Sequence, residues 1–218
     1  MAPYARLEVI LIALVGGVVT AVLAHFAPLW AILPAVLTLA LLGFYRDPAR
    51  RPPAGNDLIL APADGQVVEI SPNATGADGS RVLRIMIFLR VYDVHLNRSP
   101  CAGRVTDVQY RRGAFVNALN SAADARNECN TVTLDPQPPL PGPVRVRQIA
   151  GVLARRIVCA VKSGDYLAAG DRFGMIKLGS RTEVCVPADP RWEVLVRPGQ
   201  KVRAGVTVLV RLRPAGAT

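Results

Sequence analysis

Three short segments carry side chains suited to activating a hydroxyl for nucleophilic attack. Asp64 lies in Ala61–Gly65 (APADG), a turn ahead of a strand-like run. His95 lies in Tyr92–Pro100 (YDVHLNRSP) and is the only histidine outside an apolar N-terminal stretch. Ser180 follows Gly179 in Phe173–Pro187 (FGMIKLGSRTEVCVP), between two apolar strand-like runs. Singly, each has a structural explanation: Asp-Gly and Gly-Ser are ordinary turn pairs, and a lone histidine is more often a satisfied structural residue. Together they supply a base, a group to orient it and a nucleophile. A hydrolase serine sits on a GxSxG elbow, whereas Ser180 stands in LGSR with no second glycine. A serine behind a glycine in a tight hairpin has a nearer electrophile, the carbonyl of Gly179, which the missing side chain leaves open to attack.

Other chemistries lose their usual support. The chain has no GxxxxGK[ST], GxGxxG or HExxH motif. Cys101, Cys129, Cys159 and Cys185 are spread 26–30 residues apart with no CxxC pair, so they read as idle thiols and no metal is expected. Basic residues outnumber acidic ones 26 to 16, and only Lys162, Lys177 and Lys201 are lysines. Arginine forks suit phosphate and carboxylate. With aromatics at 6%, stacking on nucleic acid is poorly served, so no nucleic acid is expected and an anionic membrane face or substrate fits better.

These segments need elements to hold them. From Val9 to Tyr45, 37 residues pass without Asp, Glu, Lys or Arg. One span needs about 20 apolar residues, and Pro28 and Pro34 lie near the middle. Leu7–Ala24 and Leu29–Tyr45 are therefore expected as arms of a transmembrane or re-entrant helical hairpin. Arg6 before it and Arg46, Arg50 and Arg51 after it put both ends on the cytoplasmic face. The domain plan is an anchor over 1–45, a proline-rich linker over 46–56 and a catalytic domain over 57–218. That domain reads as mainly β (α+β), a compact barrel- or sandwich-like body of short strands. Strands are expected at Gln66–Ile70, Arg81–Leu89, Gly103–Tyr110, Val144–Ile149, Val152–Val161, Thr182–Val186, Glu193–Val196 and Val206–Leu212. Ala114–Ala125 is expected as a helix or loop, and Leu134–Pro143, with five prolines, as a surface loop.

APADG, VYDVHLNRSP, NEC at Asn127–Cys129 and IKLGSRTEVCVP, in this order, resemble the phosphatidylserine decarboxylase family in its short bacterial and archaeal form. The likeness spans about Tyr45 to Pro187, and the hydrophobic hairpin resembles that family's anchor. It implies a self-processing lyase. Ser180 attacks the Gly179 carbonyl, activated by His95 and Asp64, and cleavage leaves a β chain of 1–179 and an α chain of 180–218. The α chain then begins with a covalent pyruvoyl group made from Ser180, the cofactor. That group forms a Schiff base with the serine head group of a membrane phospholipid and serves as electron sink as CO2 leaves. The implied location is the cytoplasmic membrane of a bacterium, with homo-oligomerisation left open.

The resemblance also marks a departure. Longer relatives have a second histidine three residues before the catalytic one, and here that position is Tyr92. Protonation after decarboxylation then falls to His95 or Tyr92. Lys177 and Arg181 flank the cleavage pair and are candidate substrate contacts, as is Tyr92. Two alternatives remain: an ether-lipid substrate, archaetidylserine, and a non-enzymatic biotinyl- or lipoyl-like module. In the second, suggested by Val161–Met175, Lys177 would be the modified residue.

Overall fold

A computed structural model describes residues 1–76, 78–116, 126–151, 156–177 and 180–214. Gly179, most of the expected helix or loop at Ala114–Ala125 and the first residues of the strand expected at Val152–Val161 lie outside these. The chain divides into two compact units, Met1–Ala49 and Arg50–Thr218.

The first unit is a helical hairpin, α1 (Arg6–Phe26) and α2 (Ile32–Phe44). Pro28 opens the 3-10 turn Pro28–Ala31 between them, a first-turn position where a missing N–H costs nothing. The Ala2 N–H donates to the Tyr45 carbonyl at 2.8 Å, so both ends of the hairpin meet. The arms close where Gly16 lacks a side chain, since a Cβ there would lie 2.1 Å from Thr38 Oγ1. Thr20 and Thr38 donate to the Gly16 and Pro34 carbonyls at 2.7 and 2.6 Å, satisfying their hydroxyls within an apolar helix. No residue of α1 is buried within the protein, and the helix Pro3–Phe26 has a window of mean hydropathy 2.5, long and apolar enough to cross a membrane. At about 1.5 Å per residue α1 spans about 31 Å, close to a hydrocarbon core of about 30 Å, whereas α2 spans only about 20 Å.

The second unit is mainly β, as expected. Its strands are β1 (Leu58–Leu60), β2 (Gly65–Thr75), β3 (Arg81–Leu89), β4 (Leu96–Arg98), β5 (Gly103–Arg111), β6 (Cys129–Pro136) and β7 (Val144–Ile149). They continue with β8 (Arg156–Cys159), β9 (Tyr166–Leu167), β10 (Arg172–Lys177), β11 (Ser180–Pro187), β12 (Trp192–Val194), β13 (Lys201–Val202) and β14 (Val208–Leu212). Eight form one curled antiparallel sheet in the order β13-β2-β3-β11-β7-β6-β5-β9, with smaller sheets β1-β14-β12 and β4-β10-β8. The core is built by period-two alternation: Ile85 and Ile87 of β3, Val184 and Val186 of β11, Val144 and Val146 of β7, and Val132 and Leu134 of β6 pack with Ile59, Phe173 and Leu209.

The structure changes one expectation. The first residues of the proline-rich stretch Leu134–Pro143 close β6, and Leu140 is buried. Prolines end the strand there because they lack the ladder donor, yet the turn folds back on the core.

Candidate active site

Backbone bonds tie the three segments together. The Arg98 N–H donates to the Pro62 carbonyl at 2.9 Å, and the Leu60 N–H to the Pro100 carbonyl at 2.8 Å, lacing YDVHLNRSP to APADG. The Ile176 N–H donates to the His95 carbonyl at 3.1 Å, and β4 pairs with β10 at Leu96–Met175 and Asn97–Gly174. Ser180 opens β11, where it pairs with Leu89 at the end of β3, just before the turn that leads to His95.

Ser180 is fully buried, and its Oγ has no hydrogen-bond partner among the described residues. A buried hydroxyl without a partner costs free energy, which in a folded core points to a group held for reaction. His95 is also fully buried. Its Nδ1 lies 2.9 Å from the Asp93 carbonyl, and a carbonyl only accepts, so Nδ1 carries the proton and the Nε2 lone pair is the basic one.

Asp64 is positioned by Gly65, whose φ of 156° and close approach to the Phe88 carbonyl, 2.2 Å from where a Cβ would sit, exclude other residues. Its Oδ2 takes a bond from Arg50 Nη2 at 2.7 Å and its Oδ1 from the Ala204 N–H at 2.7 Å. Burial raises its pKa above the ordinary carboxylate value, against the Ala204 N–H and Arg50, which favour the charged form, while Asp93 adds repulsion. His95 Nδ1 thus donates to the Asp93 backbone carbonyl, and Asp64 accepts from the linker-side Arg50. Arg50 carries no motif signal; only the fold brings it to Asp64.

The three flanking candidates lie in different settings. Tyr92 is 60% exposed, with its phenol oxygen 2.6 Å from Arg90 Nη1. Lys177 ends β10 opposite Arg156 of β8. Arg181 is buried at 3% exposure and lies 2.8 Å from Glu183 Oε1, while Arg147 reaches Glu183 Oε2 at 3.0 Å. Alternation puts Arg181 and Glu183 on the face of β11 opposite Ser180, so the structure does not bring Arg181 to the serine.

Sequence reasoning missed a set of buried amides and hydroxyls beside the site: Asn97, Asn130, Gln148 and Thr182. Only their burial in otherwise apolar strands marks them. Asn127 of the NEC segment donates to the Val116 and Ala150 carbonyls, both at 2.7 Å, and pins the chain there. Among the described residues no group of His, Cys, Asp and Glu could hold a metal.

A mainly β domain whose paired strands tie the segment of a buried serine to that of a buried histidine is the class this geometry defines. A family model described as phosphatidylserine decarboxylase matches residues 37–210. The phosphatidylserine decarboxylase proenzyme of Rhodopirellula baltica is 43% identical over 215 residues, covering 96% of this chain and 88% of that protein. Those of Cupriavidus metallidurans and Gluconobacter oxydans are 40% and 45% identical, covering 91% and 78% of this chain and 91% and 76% of those proteins. The chain belongs to the phosphatidylserine decarboxylase family, and as a member it is a decarboxylase.

Proposed function

We propose that this chain is a proenzyme that cleaves itself between Gly179 and Ser180 and then converts phosphatidylserine to phosphatidylethanolamine and CO2. The observation that carries this reading is the buried Ser180 Oγ, without a partner among the described residues, at the head of a strand laced to the His95 segment. In the first step His95 Nε2 takes the Ser180 Oγ proton, Oγ bonds to the Gly179 carbonyl carbon, and the Gly179–Ser180 C–N bond breaks as the leaving nitrogen takes that proton from His95. The result is an ester and a free amine at residue 180. Removal of the residue 180 Cα proton then breaks the Cβ–Oγ bond, so that Gly179 leaves as a carboxylate and residue 180 becomes dehydroalanine. Its imine tautomer takes up water and releases ammonia, which leaves an N-terminal pyruvoyl group.

The residues present fit that group: a serine at the required position, buried, with a base segment bonded alongside. Once formed, the pyruvoyl carbonyl supplies an electron sink for decarboxylation of an amine substrate. His95 then holds a transferable proton at Nε2, with Asp93 fixing the ring through Nδ1, and Tyr92 stands at the rim of the same turn. The strands around Ser180 exclude bulk water from the ester stage, which keeps elimination ahead of hydrolysis. The apolar helix α1 supports residence at a membrane, where a phospholipid substrate lies, and the flanking arginines favour a cytoplasmic orientation. The products are a β chain of 1–179 and an α chain of 180–218 that remain associated, because β11 pairs with β3 and β7 of the larger fragment.

Intact mass spectrometry under denaturing conditions tests this. Two chains meeting between 179 and 180, the smaller blocked at its N-terminus and carrying a pyruvoyl mass, are expected. One unmodified chain of 23.3 kDa would sink the proposal. One chain heavier by a biotinyl or lipoyl group on Lys177 would favour the carrier reading. An ether-lipid substrate is separated from an ester one by assaying both lipids side by side.

A further inference from the structure

Beyond His95 and Ser180, four buried polar side chains form one directed line. Asn130 Nδ2 donates to Gln148 Oε1 at 2.9 Å, Gln148 Nε2 to Asn97 Oδ1 at 2.8 Å, and Asn97 Nδ2 to Thr182 Oγ1 at 3.1 Å. They come from β6, β7, β4 and β11, and none is more than 1% exposed. Gln148 and Asn97 each show the carbonyl to one neighbour and the NH2 to the next, and Asn130 shows its NH2 to Gln148, so turning any one over would set donor against donor or acceptor against acceptor. Gly174 makes room for the line, since a Cβ there would lie 2.9 Å from Gln148 Nε2 and 2.3 Å from the Val158 carbonyl.

Apolar side chains of similar size would fill this space without the desolvation cost of four polar groups. What the polar line adds is direction, because hydrogen bonds fix a separation and an angle that apolar contact leaves loose. The link it makes is one the sheets do not. β4 pairs with β10, and β11 pairs with β3 and β7, so no ladder joins β4 to β11. The Asn97–Thr182 bond spans that gap. Two residues before Thr182 on the same face of β11 is Ser180, and two residues before Asn97, just ahead of β4, is His95, whose carbonyl accepts from the Ile176 N–H at 3.1 Å.

We propose that Asn97 and Thr182 are positioning residues for self-cleavage. Their bond, aimed by Gln148 and Asn130, holds the head of β11 against the His95 segment and sets the approach of Ser180 Oγ to the imidazole. This rests on the self-processing reading above. A misplacement of about 1 Å between reacting groups can cost about 100-fold in rate, so a buried tie next to the reacting pair is a sensitive place to alter it.

The test follows self-cleavage of the full chain in a pulse-labelled cell-free synthesis reaction supplied with lipid vesicles, read as precursor converted to two chains over time. Thr182→Val keeps the shape and removes the hydroxyl, and is expected to slow cleavage about tenfold or more, whereas Thr182→Ser restores the rate to within about threefold of the parent. Thr182→Ala, which removes the hydroxyl without added bulk, gives the same readout where the valine variant does not fold. Val184→Ala, two residues along the same face, lowers the melting temperature but keeps the parent cleavage rate. Parent-like cleavage in folded Thr182→Val, failure of serine to rescue, or equal slowing in Val184→Ala would each overturn the proposal. A parent chain that never cleaves overturns the self-processing reading itself, and is distinguishable because the variants are then irrelevant to the result.

Discussion

The two faces of β11 solve the same problem in opposite ways. On one, Thr182 accepts from the neutral Asn97 amide at the end of a directed line, and Ser180 lies two residues before it on the same face. On the other, Arg181 and Glu183 alternate with them and are held by charge, with Arg147 as third member. Both faces are buried at this end of the strand. Full charges beside the serine would dominate the electrostatics of its attack, whereas neutral amides set geometry without a strong field. The strand thus separates neutral hydrogen bonding from charge: the face that carries Ser180 and Thr182 is tied by an amide, and the ionic face pairs Arg181 and Arg147 with Glu183. Burial lowers the Arg181 pKa and Glu183 opposes that, so the ionic face depends on Glu183 staying in place.

Removing the nucleophile breaks the comparison most completely. Ser180→Ala is expected to abolish both processing and decarboxylation, leaving one chain of 23.3 kDa on a denaturing gel. Because Oγ has no partner among the described residues, the same variant keeps or slightly raises the melting temperature. Detectable activity in it would remove Ser180 from the reaction. His95→Ala comes next, with self-cleavage slowed about 10²–10⁴-fold, the usual worth of a positioned base. Prompt processing of that variant, seen in a pulse-chase, would assign the base elsewhere.

The ionic face responds in stability instead of rate. Glu183→Gln leaves two arginines facing a neutral amide in the sheet, and breaking a buried pair in this way costs about 3–5 kcal/mol. Arg147 is partly exposed, so the lower end of that range is expected in urea unfolding, while cleavage per folded molecule stays near the parent. An equal fall in cleavage rate at unchanged stability would erase the division between the faces.

The smallest expected effect is at the Arg50–Asp64 pair. In Arg50→Gln, Asp64 loses the cation at 2.7 Å, and its already raised pKa moves further up. A carboxyl whose folded pKa lies above its unfolded one binds its proton more tightly when folded. It favours folding in the protonated form, and that advantage is lost as pH rises through the folded pKa. The variant is therefore expected to be less stable than the parent by about 1 kcal/mol near neutral pH, with the gap closing as pH falls and Asp64 becomes protonated in both. A gap independent of pH would show that Arg50 acts by packing alone.

Much of this protein was legible before any fold. β3 and β7 match the expected bounds because alternating β-branched runs between turn residues carry their own period. β6 carries no such period: Cys129–Pro136 mixes Asn, Thr and Asp with apolar residues, and its end runs into the prolines of Leu134–Pro143. The break between the helices follows Pro28, as proline chemistry requires. Asp64, His95 and Ser180 stand out as candidates by residue type and local motif, because few side chains can serve as base or nucleophile.

Residue chemistry and short-range periodicity thus determined the class of the fold, the apolar hairpin and the candidate groups Asp64, His95 and Ser180. Only the tertiary structure decided that Arg50 pairs with Asp64, that Asp93 fixes His95, that Arg181 turns away from Ser180 and that Asn97 meets Thr182. Arg50 and Asp64 are 14 positions apart and Asn97 and Thr182 are 85, while Asp93 and His95 meet across two positions only because the turn there folds back. Their partners are set by register and sheet order, and a one-residue slip in either would exchange every face.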